Sequence, residues 1–297
     1  MSTRVVAEKS AATFITSTGR TEAAKVGFIH VPKTAGSSLN TIIKSLNSDS
    51  FRLVSVHDFA NFPDLLATIR FLSGHVPYFM YKWEAVERRL ATVLRDPIDR
   101  VISNFRYILA TPGHYAHDWL KMTRASLADC YRHPVMQIEF TNFQTKLLGW
   151  APSREIVWPA HGRDKYRIFS KEYANFLYGT SNLSVLEQAA DRLGTEIDFA
   201  LSSDRESLIS LCSRIGGSPV SDLPKENVTP PVAYVITPTD LEAIRQHNRL
   251  DAELFCYARE LLRNGRGSRH GAFPSSEDFS SLRHQVSNFP PPTLAAD

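Results

Sequence analysis

A short segment near the amino terminus combines a lysine, a glycine and several hydroxyl side chains. It reads Pro32-Lys33-Thr34-Ala35-Gly36-Ser37-Ser38-Leu39, between an apolar run and a helix-forming run that reaches Leu46. This pattern predicts a strand, a loop and a helix. The first N–H groups of a helix lack partners within the helix and lie at the positive end of its dipole, so they favour an anion. Lys33 would add a point charge, and Gly36 would let the backbone come close. The hydroxyl groups of Thr34, Ser37 and Ser38 would add donors.

A second segment repeats this order of elements. The apolar run 91–94 predicts a buried strand, Asp96 is a good N-cap, and Pro97 suits the first position of a helix. Arg95 would then emerge at the carboxyl end of a strand, where open α/β sheets bind ligands. Ser103 follows two helical turns after Asp96, so it can lie on the same side of the helix.

The polar residues of this segment also have purely structural explanations. Arg95 and Arg100 could form ion pairs with the neighbouring Asp96 or Asp99. Ser103 could bond back to its own helix. The sequence of this segment alone leaves both alternatives open.

Several histidines of the chain could carry chemistry. Gly74 and Pro77 disfavour a regular central strand, so we expect His75 at a strand end or in a loop, where a structural histidine is the alternative to a functional one. His114 and His117 are spaced like metal ligands, but no third ligand with matching spacing follows, so we predict no metal site.

The composition limits the classes of function. The 297 residues are 43% hydrophobic, and 34 basic against 31 acidic residues give a net charge of +3, which does not favour a nucleic-acid binder. Three widely spaced cysteines argue against disulfides and fit a reducing compartment. No apolar run approaches the roughly 20 residues that span a bilayer. We expect a cytoplasmic protein; peripheral membrane contact stays open, as does a transit peptide, although Glu8 and Glu22 weigh against the latter.

The order of elements predicts the fold class. Strands alternate with helices along the chain, which indicates an α/β fold with a mostly parallel central sheet flanked by helices. The most regular helical pattern runs over 239–263 as a single helix. We predict a flexible N-terminal arm over 1–25, one domain over 26–264 and a flexible tail over 265–297.

The two loop segments together resemble the superfamily of sulfotransferases that use 3′-phosphoadenosine 5′-phosphosulfate (PAPS). The sequence is most similar to the carbohydrate branch, which includes heparan sulfate 2-O-sulfotransferase. The resemblance covers about residues 26 to 263 and implies a P-loop-like three-layer fold. It also implies a 5′-phosphosulfate site at Lys33, Thr34, Ala35, Gly36, Ser37, Ser38 and Leu39, and a 3′-phosphate site at Arg95 and Ser103.

Weaker matches to the same branch follow along the chain. They are Asn142-Phe143-Gln144 with Leu148-Gly149, then Leu223-Pro224 with Asn227, and finally Asn248-x-x-Asp251 with Tyr257. Asn227 is thereby added to the predicted PAPS-binding residues. The membrane-bound animal members carry an N-terminal anchor and disulfides, and because this sequence shows neither pattern, it resembles a soluble, bacterial type of relative.

The resemblance also implies catalytic roles. A histidine in a Gly-His setting between the two motifs serves as the base in this branch, which here is His75; His57 is the second candidate and Glu84 a distant third. Lys33 would stabilise the leaving oxygen. The expected reaction moves a sulfuryl group to a hydroxyl of a glycan or glycolipid and releases adenosine 3′,5′-bisphosphate.

Two other functions remain as alternatives. A nucleotide kinase could use the same loop and helix, although the G-K-[ST] lysine and an acidic Mg²⁺ site are not evident. A catalytically silent module that binds PAPS could also carry both loops. The segments around 107–119 and 150–166 are the predicted walls of the acceptor pocket.

Overall fold

The structure is a computed structural model of the chain. It describes residues 14–15, 21–22, 24–55, 58, 61–82, 87–152, 162–224 and 232–265, and for 14–15, 21–22, 162–167 and 169 it describes the backbone alone. The predicted roles of His57, Glu84 and Asn227 fall outside the described residues, as do most of the arm and nearly all of the tail. Within the arm, Phe14–Ile15 pairs with Thr21–Glu22 in a short antiparallel ladder.

A five-stranded sheet forms the centre of the fold. Its strands are β1 (Lys25–Ile29), β2 (Phe51–Val54), β3 (Phe71–Gly74), β4 (Arg88–Leu94) and β5 (Ile197–Leu201), in the order β2-β3-β1-β4-β5. All its pairings are parallel. The three central strands and β5 are almost wholly buried, which fits their mostly apolar sequences without a polar residue at every second position.

Thirteen α-helices of the described chain surround the sheet, with a 3₁₀ turn at Ser48–Ser50. They are α1 Gly36–Leu46, α2 Phe62–Thr68, α3 Tyr78–Tyr81, α4 Pro97–Ala110, α5 His117–Thr123, α6 Leu127–Cys130, α7 Met136–Phe140, α8 Phe143–Gly149, α9 Gly162–Tyr178, α10 Leu183–Thr195, α11 Arg205–Gly216, α12 Pro238–His247 and α13 Arg249–Arg263.

Alternate side chains of the strands pack against different helices. Val26 and Phe28 of β1 join a cluster with α1 and α11, whereas Ile29 joins a larger cluster with α2, α8, α10 and α13. A third cluster holds α4 to α7 and α12 together. Because successive side chains of a strand point to opposite faces, the sheet is covered on both sides. The predicted α/β three-layer fold is confirmed.

The topology places a crevice between β1 and β4. The chain leaves β1 toward β2 on one side of the sheet and leaves β4 toward β5 on the other. Such a switch point opens a crevice at the carboxyl ends of the two strands, which is where α/β proteins bind ligands. The two segments that carry Lys33 and Arg95 follow β1 and β4, so both begin at this crevice.

The single helix predicted over 239–263 is wrong. The structure has two helices, α12 and α13, that meet at Asn248, and α12 is capped by Thr237 in a capping box with Asp240. The Asn248 side chain explains the break. Its amide donates to the carbonyl of Ile244 and to the hydroxyl of Tyr131, while its Oδ1 accepts from the N–H of Asn142.

Candidate active site

A cleft of about 1000 Å³ opens at the carboxyl ends of the central strands. It brings together most of the residues that the sequence put forward, and these are Lys33, Ala35, Gly36, Ser37, Ser38, His75, Arg95 and Ser103. Thr34 and Leu39 do not line it. Leu223 and Pro224 do, so the chain that leads toward Asn227 reaches the cleft.

The loop after β1 is held by its own backbone. Lys33 and Ala35 have positive φ angles of 66° and 71°, which turn the chain sharply into α1. The buried hydroxyl of Thr34 donates to the carbonyl of Val31 at 2.9 Å, and the N–H of Leu39 donates to the carbonyl of Ala35 at 3.3 Å. Thr34 and Leu39 therefore shape the loop, whereas Gly36 and Ser37 supply the first N–H groups of the helix.

Gly36 cannot carry a side chain in this fold. A Cβ atom at this position would overlap Cδ2 and Nε2 of His30, whose ring lies against the start of α1. The sequence pattern explains the glycine by close approach of the backbone to an anion. The structure adds a second reason, since the histidine that precedes the loop occupies the space.

Arg95 is fixed from two sides. Its guanidinium donates to the backbone carbonyl of Lys33 at 3.0 Å, which ties the loop after β4 to the loop after β1. The Gln144 side chain grips the Arg95 backbone, because its Oε1 accepts from the Arg95 N–H at 3.0 Å and its Nε2 donates to the Arg95 carbonyl at 2.9 Å. The weak match at Asn142-Phe143-Gln144 thus has a physical role in holding Arg95.

The ion pairs considered for Arg95 and Arg100 are not formed. In the described chain, neither guanidinium lies within 4 Å of the carboxylates of Asp96 or Asp99. The carboxylate of Asp96 caps α4 by accepting from the N–H groups of Ile98 and Asp99. The nearest carboxylate to Arg100 is that of Asp251, at 3.9 Å and fully buried.

Two cations therefore meet at the crevice. Burial lowers the pKa of Lys33, and the positive charge of Arg95 lowers it further. Burial also lowers the pKa of Arg95, while the negative charges of Asp99 and Asp96 act to raise it. The Lys33 ammonium lies 4.2 Å from the centre of the Tyr107 ring. An anion bound here would favour the charged form of both groups.

A buried polar network supports this end of the cleft. The Asp251 carboxylate accepts from the N–H groups of Gln144 and Thr145 at the start of α8, and the Asn142 Oδ1 accepts from those of Leu250 and Asp251 at the start of α13. Each helix thus caps the other. The guanidinium of Arg100 lies beside the Asp251 carboxylate and donates to the carbonyls of Glu139 and Phe140; these buried contacts give Arg100 a structural role.

His75 lies at the end of β3, as predicted. Its Nδ1 is 2.6 Å from the backbone carbonyl of His30. A carbonyl can only accept, so Nδ1 carries the proton and Nε2 keeps a lone pair that can take another proton. Burial lowers the pKa of His75, while the carboxylate of Glu139 acts to raise it. The imidazole is therefore neutral at physiological pH and competent as a base.

Tyrosines and one carboxylate also line the cleft. Tyr107 and Tyr115 come from the predicted segment 107–119, whereas Tyr173 and Tyr178 come from α9. The carboxylate of Glu139 accepts from the Tyr115 hydroxyl at 2.7 Å and from the Asn104 amide at 3.2 Å. Of the other predicted wall, 150–166, the structure describes only residues 150–152 and the backbone at the start of α9.

Several residues that line the cleft were not predicted from the sequence. Ser202, Ser203 and Arg205 follow β5 and open α11, capped by Asp204. Their signal was available, because a buried strand followed by polar residues and a helix is the same pattern as at Lys33 and Arg95. Glu139 had no such signal, since it lies in a short helix that its local sequence does not connect with the cleft.

Two other kinds of site are absent from the part of the chain that the structure describes. Among the residues that the structure describes, no three His, Cys, Asp or Glu side chains form a group that could hold a metal ion. None of the described helices is long and apolar enough to cross a membrane. Comparison with known proteins found no family model and no curated protein that matches the sequence.

Proposed function

We propose that the protein is a PAPS-dependent sulfotransferase that transfers a sulfuryl group to a hydroxyl of a carbohydrate acceptor, either a glycan or a glycolipid. The observation that carries the proposal is the meeting of three elements in one cleft at the switch point of the sheet. These are the Lys33 loop at the start of α1, the pair Arg95 and Ser103, and the neutral imidazole of His75.

Two separate phosphate positions favour PAPS over a nucleoside triphosphate. The start of α1 with Lys33 suits the 5′-phosphosulfate, because it offers N–H groups and a cation together. Arg95 and Ser103, from the loop after β4 and from α4, suit the 3′-phosphate. A triphosphate is a linear chain of phosphates and does not need this second position.

His75 and Lys33 would have different roles in the transfer of the sulfuryl group. The acceptor oxygen attacks the sulfur while the bond between the sulfur and the bridging phosphate oxygen breaks, and the hydroxyl proton passes to Nε2 of His75. The Nδ1–H bond to the His30 carbonyl orients the ring and favours the positive charge that forms. Lys33 stabilises the negative charge that develops on the leaving phosphate. The tyrosines that line the cleft would stack on sugar rings.

A transfer assay tests this proposal directly. The full chain is incubated with PAPS that carries labelled sulfate and with a panel of glycans and small hydroxyl compounds, and labelled sulfate esters are measured. Lys33→Ala and His75→Ala should each lose most turnover while the chain stays folded. If the chain bound ATP with Mg²⁺ in preference to PAPS, the sulfotransferase proposal would be wrong.

The two alternatives make different predictions. A kinase needs an acidic group for Mg²⁺ near the phosphates, and the carboxylate of Asp96, which follows β4, instead caps α4. A silent module would bind adenosine 3′,5′-bisphosphate tightly and give no transfer to any acceptor. The oriented imidazole of His75, in the same cleft as Lys33, has no purpose in such a module, so we favour the enzyme.

Location in the cytoplasm belongs to the same proposal. The three cysteines Cys130, Cys212 and Cys256 are free thiols. Burial raises the pKa of Cys130 and Cys212 to about 12, so both thiols stay protonated and inert. Free cysteines of this kind are typical of a reducing compartment.

A further inference from the structure

His30 occupies a position between the base and the anion site. It follows the last residue of β1, and its ring stacks on Phe28 with centroids 5.8 Å apart. On the other side it meets the His75 ring, with centroids 4.7 Å apart. Its Cδ2–Nε2 edge lies against Gly36, the first residue of α1. The ring is therefore held on three sides.

The charge and tautomer of His30 follow from these surroundings. Burial, together with the neighbouring groups His75 and Lys33, lowers its pKa to about 3, so the ring is neutral at physiological pH. Nδ1 is buried and has no hydrogen-bond partner. A buried N–H without an acceptor is rarer than an unpaired acceptor, so the proton belongs on Nε2, beside the start of α1.

We infer that Nε2–H of His30 donates a hydrogen bond to a non-bridging oxygen of the anionic group bound at the start of α1. Under the proposed function, on which this inference rests, that group is the 5′-phosphosulfate. His30 would then be a binding residue of the active site, and a single residue would serve both partners of the reaction: its side chain would hold the donor while its carbonyl orients the base.

The geometry supports this role over a merely structural one. His30 lines the cleft together with Lys33, Gly36 and His75. If the ring served only to fill space, an apolar side chain would do so without burying an unpaired nitrogen. The close fit against Gly36 fixes the donor before the ligand arrives, so little freedom is lost on binding.

Two substitutions separate the hydrogen bond from the packing. His30→Leu fills the space of the ring with an apolar side chain and removes the donor. His30→Gln instead places an amide N–H near the position of Nε2. Binding of adenosine 3′,5′-bisphosphate and of adenosine 3′-monophosphate, which lacks the 5′ group, is measured calorimetrically for each full-length protein. Thermal unfolding checks that both variants are folded.

We expect His30→Leu to bind the bisphosphate about tenfold more weakly, as for one lost hydrogen bond to a charged group, and the monophosphate unchanged. His30→Gln should restore most of the affinity. If His30→Leu lost affinity equally for both nucleotides, or lost it for neither, this inference would be overturned and the proposed function would not be affected. If the unmodified protein bound neither nucleotide, both this inference and the proposed function would fail.

A spectroscopic measurement does not depend on the variants. In protein with ¹⁵N-labelled histidine, the Nε2–H proton of His30 should move downfield when adenosine 3′,5′-bisphosphate is added and should not move with the 3′-monophosphate. A resonance that stays in place with the bisphosphate, or a proton found on Nδ1, contradicts the inference even if His30→Leu does not fold.

Discussion

The guanidinium of Arg95 donates to the backbone carbonyl of Lys33 across 62 positions of the chain, at 3.0 Å. This bond joins the two loops of the switch point. The residue that we assign to the 3′-phosphate thereby also holds the loop that we assign to the 5′-phosphosulfate. The hydrogen bond thus connects the two proposed phosphate positions, and a substitution at one of them should weaken binding at the other.

Arg95→Ala should raise the KM for PAPS about 10- to 100-fold, with a smaller effect on kcat, because a charged hydrogen bond to the phosphate is lost and the Lys33 loop loosens. Steady-state kinetics at varied PAPS concentration measure the change. Arg106→Ala, on the exposed side of the same helix, is the matched control and should behave like the parent protein. An unchanged KM in Arg95→Ala would contradict the assignment.

Gln144→Leu should weaken both stability and binding. It leaves the N–H and the carbonyl of Arg95 without their partners, so we expect the free energy of unfolding to fall by about 1–3 kcal/mol. Urea unfolding measures this loss, and calorimetry measures the affinity for adenosine 3′,5′-bisphosphate. Gln137→Leu, at an exposed position of α7, should change stability by less than about 0.5 kcal/mol.

Asp251→Asn should be among the most destabilising single changes in the protein. The buried carboxylate caps α8 and lies beside the buried guanidinium of Arg100, so its loss leaves an uncompensated charge at a cost of about 3–5 kcal/mol. Urea unfolding gives the value. Glu242→Gln, which removes an exposed carboxylate 3.9 Å from Arg245, is the control and should have little effect.

The pH dependence of turnover should report His75. Burial lowers its pKa below 6.5, so the neutral base persists and the acid limb of kcat/KM should lie below pH 6.5. Glu139→Gln removes an anion that favours the protonated ring, so the pKa should fall and the limb should move to lower pH. Glu87→Gln, at an exposed position, should leave the profile in place. A shift to higher pH in Glu139→Gln would refute the assignment.

His30 should make the fold sensitive to acid. Its pKa is about 3 in the folded protein and near 6.5 when unfolded, so below pH 6.5 the unfolded state binds a proton that the folded state does not. This stability is complete above the unfolded pKa and falls as the pH drops, by about 1 kcal/mol between pH 7.5 and 5.5. Between the same two pH values, the free energy of unfolding of His30→Gln should fall by about 1 kcal/mol less than that of the parent protein, as measured by urea unfolding. Parallel curves for the two proteins would show that His30 titrates normally.

The sequence determined the local elements because they depend on near neighbours. Pro97 after Asp96 fixed the start of α4, and the apolar runs before Pro32 and Arg95 marked β1 and β4. Alternating strands and helices gave the parallel three-layer fold. The position of His75 after a strand followed from Gly74 and Pro77.

Only the tertiary structure decided which side chains act together. Asn248 breaks the predicted long helix because its partners, Asn142 and Tyr131, lie more than 100 positions away. His30 reaches Gly36 and His75, and Glu139 reaches Tyr115, through the packing of separate elements. A hydrogen bond between distant elements depends on how those elements pack, and no local sequence pattern contains that information. The sequence by itself therefore determined the two loops, whereas only the tertiary structure brought them together in one site.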